Sequence, residues 1–221
     1  MKSLRMTLVT DGPTDAVLLH PLRWLLVENG VTAPLEPVWA DLRALPKPPA
    51  GLVERIVAAV DFYPCDLLFV HRDAERESRQ VRVDEIGRAF QKCRSDLFAS
   101  RPCVCVVPVR MTEAWFLFDA GAIRHAAGNP ASRTPLDLPE VGGLEDIPDP
   151  KQNLLQVLRD ATELPLRRRQ KFSLVQAIYR LAELIDDFSP LRRLPAFAAL
   201  EAEVRSAIRA HGWGEDGSLA S

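Results

Sequence analysis

The stretch DLLFVHRDAE, residues 66–75, decides the fold. Leu67 to Val70 form a short, continuous apolar run within a strand-like segment, residues 65–71. An apolar run of this length between turn signals marks a strand buried on both faces of a parallel sheet. It stops at two acids spaced one residue apart, Asp73 and Glu75. A solvated loop needs no such pair and neither does a core. A divalent cation gives one reason for it.

On either side the chain alternates between strand-like and helix-like patterns. Residues 4–10 (LRMTLVT) predict a strand that ends at Asp11-Gly12-Pro13. Pro13 suits the first turn of a helix in which Val17, Leu18, Pro21, Leu22, Leu25 and Leu26 recur at helical spacing. Residues 33–40 make a poorer strand, interrupted by proline and best placed at a sheet edge. A loop over 44–52, a short helix over 52–62, an amphipathic helix over 79–98 and a buried strand over 102–109 follow. Strands alternating with helices predict an α/β fold, a mainly parallel sheet flanked by helices.

The second half loses the strands. Residues 128–150 are rich in proline, glycine and acids and read as a long loop. Helices are expected at about 150–161, 172–186 and 191–210; in the second of them Leu174, Ile178, Leu181 and Ile185 form one stripe. The expected organisation is an α/β domain over 1–128, a helical extension over 129–212 and a disordered tail over 213–221. No internal repeat is visible.

The 221 residues carry 47% hydrophobic and 26% charged side chains, values of an ordinary globular protein, and a formal net charge of −2. That balance gives no global attraction to nucleic acid, so any such contact must come from a local basic face. With no apolar stretch of membrane-spanning length and no signal-peptide pattern, the expected compartment is the cytoplasm and no membrane partner is expected. Cys65, Cys93, Cys103 and Cys105 lack zinc spacing and read as small buried hydrophobes.

Ligands of open α/β sheets bind outside the carboxyl ends of the strands, and there the acids collect. Asp11 closes the first strand, Asp73 and Glu75 the third, and Glu113 follows the fourth. Four carboxylates brought to one edge repel unless a hard cation compensates, and oxygen ligands suit Mg²⁺ or Mn²⁺. The alternative reading stays open: Asp11 and Asp15 as helix caps, Glu113 in a first helical turn, Asp73 and Glu75 as loop acids beside Arg72 and Arg76. Gly12 lets the backbone approach a phosphate, and Arg110 beside the acids is a candidate phosphate contact. The run Arg167, Arg168, Arg169 and Lys171 is the best local nucleic-acid patch, with a solvated face as its alternative. His71 reads as structural, and Trp115, Phe116 and Phe118 as core of the helix after Glu113.

Several of these segments resemble a known family. LVTDGPTDAVLLHPL (residues 8–22) looks like the opening of a Toprim domain, and LLFVHRDAE (67–75) resembles that fold's D-x-D strand end. VPVRMTEAWFLFD (107–119) is similar to a segment of an uncharacterised bacterial Toprim-like family, related to the overcoming-lysogenization-defect nucleases. DPKQNL (149–154) and KFSLVQAIYRLAELI (171–185) look like that family's helical extension. The resemblance spans about residues 4–205, and its most specific part is Glu113 to Asp119.

It implies a Mg²⁺-dependent phosphoryl-transfer enzyme acting on nucleic acid, a nuclease, working in bacterial defence or DNA processing beside a separate ATPase. It places Asp11 where Glu is usual, as general base or further ligand, with Asp73 and Glu75 on the metal and Glu113 supporting it. Lys151 falls at the family's "PK" position and becomes a phosphate contact. Asp11 is one methylene shorter than the usual Glu and Glu75 one longer than the usual Asp, so the alternative is a non-catalytic scaffold that docks on a partner such as an ATPase.

Overall fold

The computed structural model describes residues 2–93, 101–169 and 172–214, without the side chains of Leu166 and Arg169. The chain divides into two compact units that interleave in sequence. The first comprises Met1–Arg72, Glu77–Val107 and Ala199–Ser221; the second comprises Asp73–Arg76 and Pro108–Ala198.

The first unit is the expected α/β layer. Strands β1 (Leu4–Val9), β2 (Leu35–Trp39), β3 (Leu67–His71) and β4 (Cys103–Val106) form an all-parallel sheet in the order β2-β1-β3-β4. Every residue of β3 is buried, as its unbroken apolar run requires. β2 lies at one edge, where Pro37 forfeits no ladder hydrogen bond on the open side. β4 forms the other edge, and there the Cys105 N–H donates to Glu203 Oε2 at 2.9 Å while Glu203 Oε1 holds Arg79 at 2.7 Å. A donor that would template another strand is thereby satisfied within the unit.

Helices α1 (Leu19–Glu28), α2 (Leu52–Phe62) and α3 (Arg79–Lys92) make the crossovers. Right-handed connections in this strand order put α1 on one face and α2 with α3 on the other, and α2 and α3 touch. The helix expected after Pro13 opens as a 3-10 turn, Pro13–Leu18, because Asp15 folds back to accept the Gly12 N–H at 3.0 Å. Ser78 caps α3, whose expected residues 94–98 lie outside the described residues.

The second unit is helical. It holds α4 (Ala120–Ala126), α5 (Pro150–Ala161), α6 (Leu166–Arg169), α7 (Leu174–Leu184) and the first residues of α8 (Pro195–His211). Its core is aromatic: Trp115 meets Phe197 edge-to-face at 5.1 Å, and Phe116 meets Phe188 at 6.4 Å. This core explains why compactness divides the chain after Val107 rather than at the expected 128, since the segment following β4 supplies Trp115 and Phe116. Residues Thr112–Phe116 form a 3-10 turn instead of a helix, and α4 and α6 were not expected.

The long loop is pinned to the end of α5. Glu163 Oε1 accepts from Ser132 Oγ at 2.9 Å and from Thr134 Oγ1 at 2.6 Å, while Asn129 Nδ2 donates to the Ala161 carbonyl at 3.2 Å. A further 3-10 turn, Val141–Asp146, interrupts the loop. The tail expectation is corrected at its start. Gly212, at φ +62°, ends α8, and the N–H groups of Gly212 and Trp213 return to the carbonyls of Arg209 and Ile208, the Schellman pattern. Gly214 then bridges to Val31, and residues 215–221 lie outside the described residues. Among the described residues no helix is long and apolar enough to cross a membrane.

Two outcomes follow from this packing. Phe69 is fully buried in the central strand, so Phe69→Ala costs about 3–5 kcal/mol in urea unfolding; a loss under about 1 kcal/mol contradicts the assigned core. The hydroxyls of Thr134 and Ser132 hold the Glu163 carboxyl down at about 2. With the folded value depressed, this contribution is full above the ordinary carboxylate range and fades as pH falls towards about 2. Hydrogen exchange over 129–135 therefore stays slow in the native protein at pH 4, and Glu163→Gln accelerates it there.

Candidate functional site

The strand order reverses between β1 and β3: the chain leaves β1 for β2 on one side and later returns to β3 on the other. In doubly wound sheets the loops part at such a reversal and leave a crevice at the carboxyl ends. Asp11 stands on the loop after β1, and Arg72 immediately follows β3. They meet: Arg72 Nε lies 2.8 Å from Asp11 Oδ2, and Arg55 Nη1 lies 2.7 Å from Asp11 Oδ1. Arg55 also donates to the Thr10 carbonyl, and Arg72 continues to Glu85 at 2.8 Å. The acid expected to serve as base or ligand is thus held between two guanidinium groups.

The other expected feature of this loop is also engaged. Gly12, expected to let the backbone approach a phosphate, has its N–H taken by Asp15 Oδ2. Asp15 is buried, and its Oδ2 lies 3.8 Å from Nδ1 of the buried His71. The helix-capping alternative therefore holds for Asp15, while Asp11 is an ion-pair residue. A cavity of about 220 Å³ opens at the carboxyl ends of β1 and β2, lined by Asp11, Gly12, Trp39 and Arg55 among others.

In the second unit, the pairing of the β3 and β4 exits runs beyond the strands. The Ala74 N–H donates to the Pro108 carbonyl at 3.0 Å and the Glu75 N–H to the Arg110 carbonyl at 2.8 Å. Glu75 (φ +55°) and Arg110 (φ +66°) both take the left-handed conformation that side chains resist. Two strained residues joined by a hydrogen bond hold this segment in one shape. Asp73 Oδ1 accepts from the Thr112 N–H at 2.8 Å and from Thr112 Oγ1 at 3.2 Å, which fixes one carboxylate oxygen and brings the neighbouring Glu113 with it. Glu113 is buried in the first turn of its 3-10 segment, and the largely exposed Lys151 reaches to 3.9 Å from Oε1.

Arg167 and Arg168 are exposed on α6, in keeping with either a solvated face or a basic patch. Lys171 and the side chain of Arg169 lie outside the described residues. Trp115 and Phe116 are fully buried, as core rather than stacking platform. Sequence reasoning missed Arg55 and Thr112 entirely. The four cysteines are free, and burial raises the Cys65 thiol and lifts Cys105 to about 12.

Comparison with protein-family models, with curated proteins and with solved structures gives no match to this chain. The geometry therefore stands by itself. It predicts that Asp11→Asn, by breaking two partly exposed ion pairs, lowers stability by about 1 kcal/mol or less, with the difference shrinking in high salt. Urea midpoints at low and high ionic strength check it, and a loss of several kcal/mol would give Asp11 a structural weight its exposure does not support.

Proposed function

We propose that the chain is a divalent-metal-dependent phosphoryl-transfer enzyme acting on nucleic acid, a Toprim-like nuclease. The burial of Asp15 and Glu113, acids that follow β1 and β4, carries this reading. A bound cation is one charge that suits buried carboxylates, and Lys151 Nζ lies 3.9 Å from Glu113 Oε1. Asp73 adds a third acid, carried only two residues beyond His71 at the exit of β3.

Carboxylate oxygens fit Mg²⁺ or Mn²⁺ by donor type. When bound, such a cation polarises a phosphate oxygen and lowers the pKa of water. The chain's own residues do the rest. Thr112 orients Asp73, Lys151 and Arg110 supply positive charge for a phosphate, and Asp15 takes the acid–base place first given to Asp11. Glu75 is held in its segment by the strained turn and supports Asp73. A patch at Arg167 and Arg168 adds backbone attraction for nucleic acid.

A second reading has its own observation. Asp11, the position the resemblance assigns to acid–base work, is neutralised by Arg55 and Arg72, which favours a non-catalytic scaffold docking on a partner such as an ATPase. Calorimetry with Mn²⁺ and Mg²⁺, followed by cleavage assays on single- and double-stranded DNA and RNA, separates the two. The enzyme reading expects wild-type metal binding that Asp73→Asn weakens about tenfold or more, cleavage lost in Asp15→Asn, and cleavage kept within about tenfold in Asp11→Asn. Absence of metal binding in the wild-type chain leaves the scaffold alone standing.

A further inference from the structure

The turn after β2 shapes one wall of the cavity at the carboxyl ends of β1 and β2. Trp39, the last residue of β2, pairs in register with Leu8 of β1. Its side chain is fixed as well: the Nε1–H donates to Thr10 Oγ1 at 2.9 Å, and the Thr10 hydroxyl donates to the Gly12 carbonyl at 2.7 Å. Arg43 lies over the indole, its guanidinium carbon 5.1 Å from the ring centroid. Asp41 holds that guanidinium in bidentate fashion, accepting from Nε and Nη2 at 2.8 Å each, and also accepts the Arg43 backbone N–H at 3.2 Å. Tyr63 Oη donates to the Asp41 carbonyl at 3.2 Å and ties this turn to the unit. An indole and a guanidinium, both flat, are thus held in place beside open space.

The rest of the lining is apolar or already committed. Pro13, Pro48 and Pro49 contribute rigid rings that carry no backbone N–H. Each charged side chain of the lining has its counterion within it: Arg43 pairs with Asp41, and Arg55 with Asp11 at 2.7 Å, where Arg72 also reaches. Such a surface offers a ligand stacking area rather than charge. The cavity encloses about 220 Å³. That lies under the about 300–1,000 Å³ of sites for drug-sized ligands and suits a single ring system.

We propose that this cavity holds one flat, uncharged heterocycle, a nucleobase, stacked on the Trp39–Arg43 wall. Indole and guanidinium planes both stack on bases, and stacking tolerates any base because each has a π-face. The prolines complete the lining without adding a donor that would read one base from another. That the base belongs to a nucleic-acid chain rests on the function proposed above; a free nucleoside presents the same ring.

The test follows tryptophan fluorescence and binding on the full chain in Mg²⁺ with three probes. They are adenosine, an oligoadenylate with phosphorothioate linkages that resist cleavage, and an abasic chain of the same length and linkages. Adenosine and the oligoadenylate are expected to quench the fluorescence. Trp39→Phe keeps their binding within about threefold and removes that quenching. Trp39→Leu weakens the oligoadenylate about tenfold or more and leaves the abasic chain unchanged. Urea midpoints verify that both variants are folded. An abasic chain that binds as tightly as the oligoadenylate overturns the base site and leaves the nucleic-acid reading standing, as does a Trp39→Leu that affects both chains alike. Quenching by adenosine with no binding of either chain does the reverse: the base site stands and the nucleic-acid reading falls. No quenching at all, or quenching that survives in Trp39→Phe, overturns the proposal.

Discussion

Complete burial of β3 between β1 and β4 is the constraint on which the rest depends. A strand covered on both faces and paired on both sides cannot slip by one residue, because any shift would break two ladders at once. Its exit is therefore fixed to within a residue, and the pairing continues past His71 through Arg72 to Val106 at 3.1 Å. The strand order adds the second half of the constraint. With β1 and β3 adjacent, their connections diverge at the carboxyl ends of the strands. That is where the polar groups can gather without being overpacked by apolar side chains.

Within the first unit, the arginines decide what those polar groups can do. Arg55 and Arg72 come from α2 and the β3 exit, and both converge on Asp11. Binding a cation through Asp11 would mean giving up the charge-assisted hydrogen bond from Arg55 and the ion pair with Arg72. Asp15 differs. Its Oδ2 accepts the Gly12 N–H and lies 3.8 Å from Nδ1 of the buried His71.

What was legible in the sequence followed from period and punctuation. The apolar run of β3, the proline in β2 and the turn at Asp11-Gly12-Pro13 each read correctly because each is a local constraint on the backbone. Helix α5 was legible for the same reason, with Pro150 at its first position and the Asp149 carboxylate accepting the Gln152 N–H at 2.9 Å. Helix α4 was not: seven residues with a glycine near the start carry too little periodicity, and only the Asp119 cap announces it. The site was half legible. The acids could be counted, but Arg55 lies 44 residues from Asp11 along the chain, and nothing local to either marks the pair. Nor could spacing reveal that Thr112 would fix Asp73, since that bond depends on the β4 exit turning at a left-handed Arg110.

Parallel topology also explains where a chain of net charge −2 places its charges. In a parallel sheet every strand starts at the same end, so residues that immediately precede strands share one surface however far apart they lie in sequence. Here that rule gathers Lys2, Asp66 and Arg101 ahead of the strands, while the acids Asp11, Asp73, Glu75 and Glu113 follow them. Neither group stands out in a window of ten residues, because each strand contributes only one or two members. The overall charge averages over the two groups and conceals both. A polarity of this kind is set by where charges fall relative to strand boundaries, and it becomes visible only once the boundaries and the parallel sense of the sheet are known.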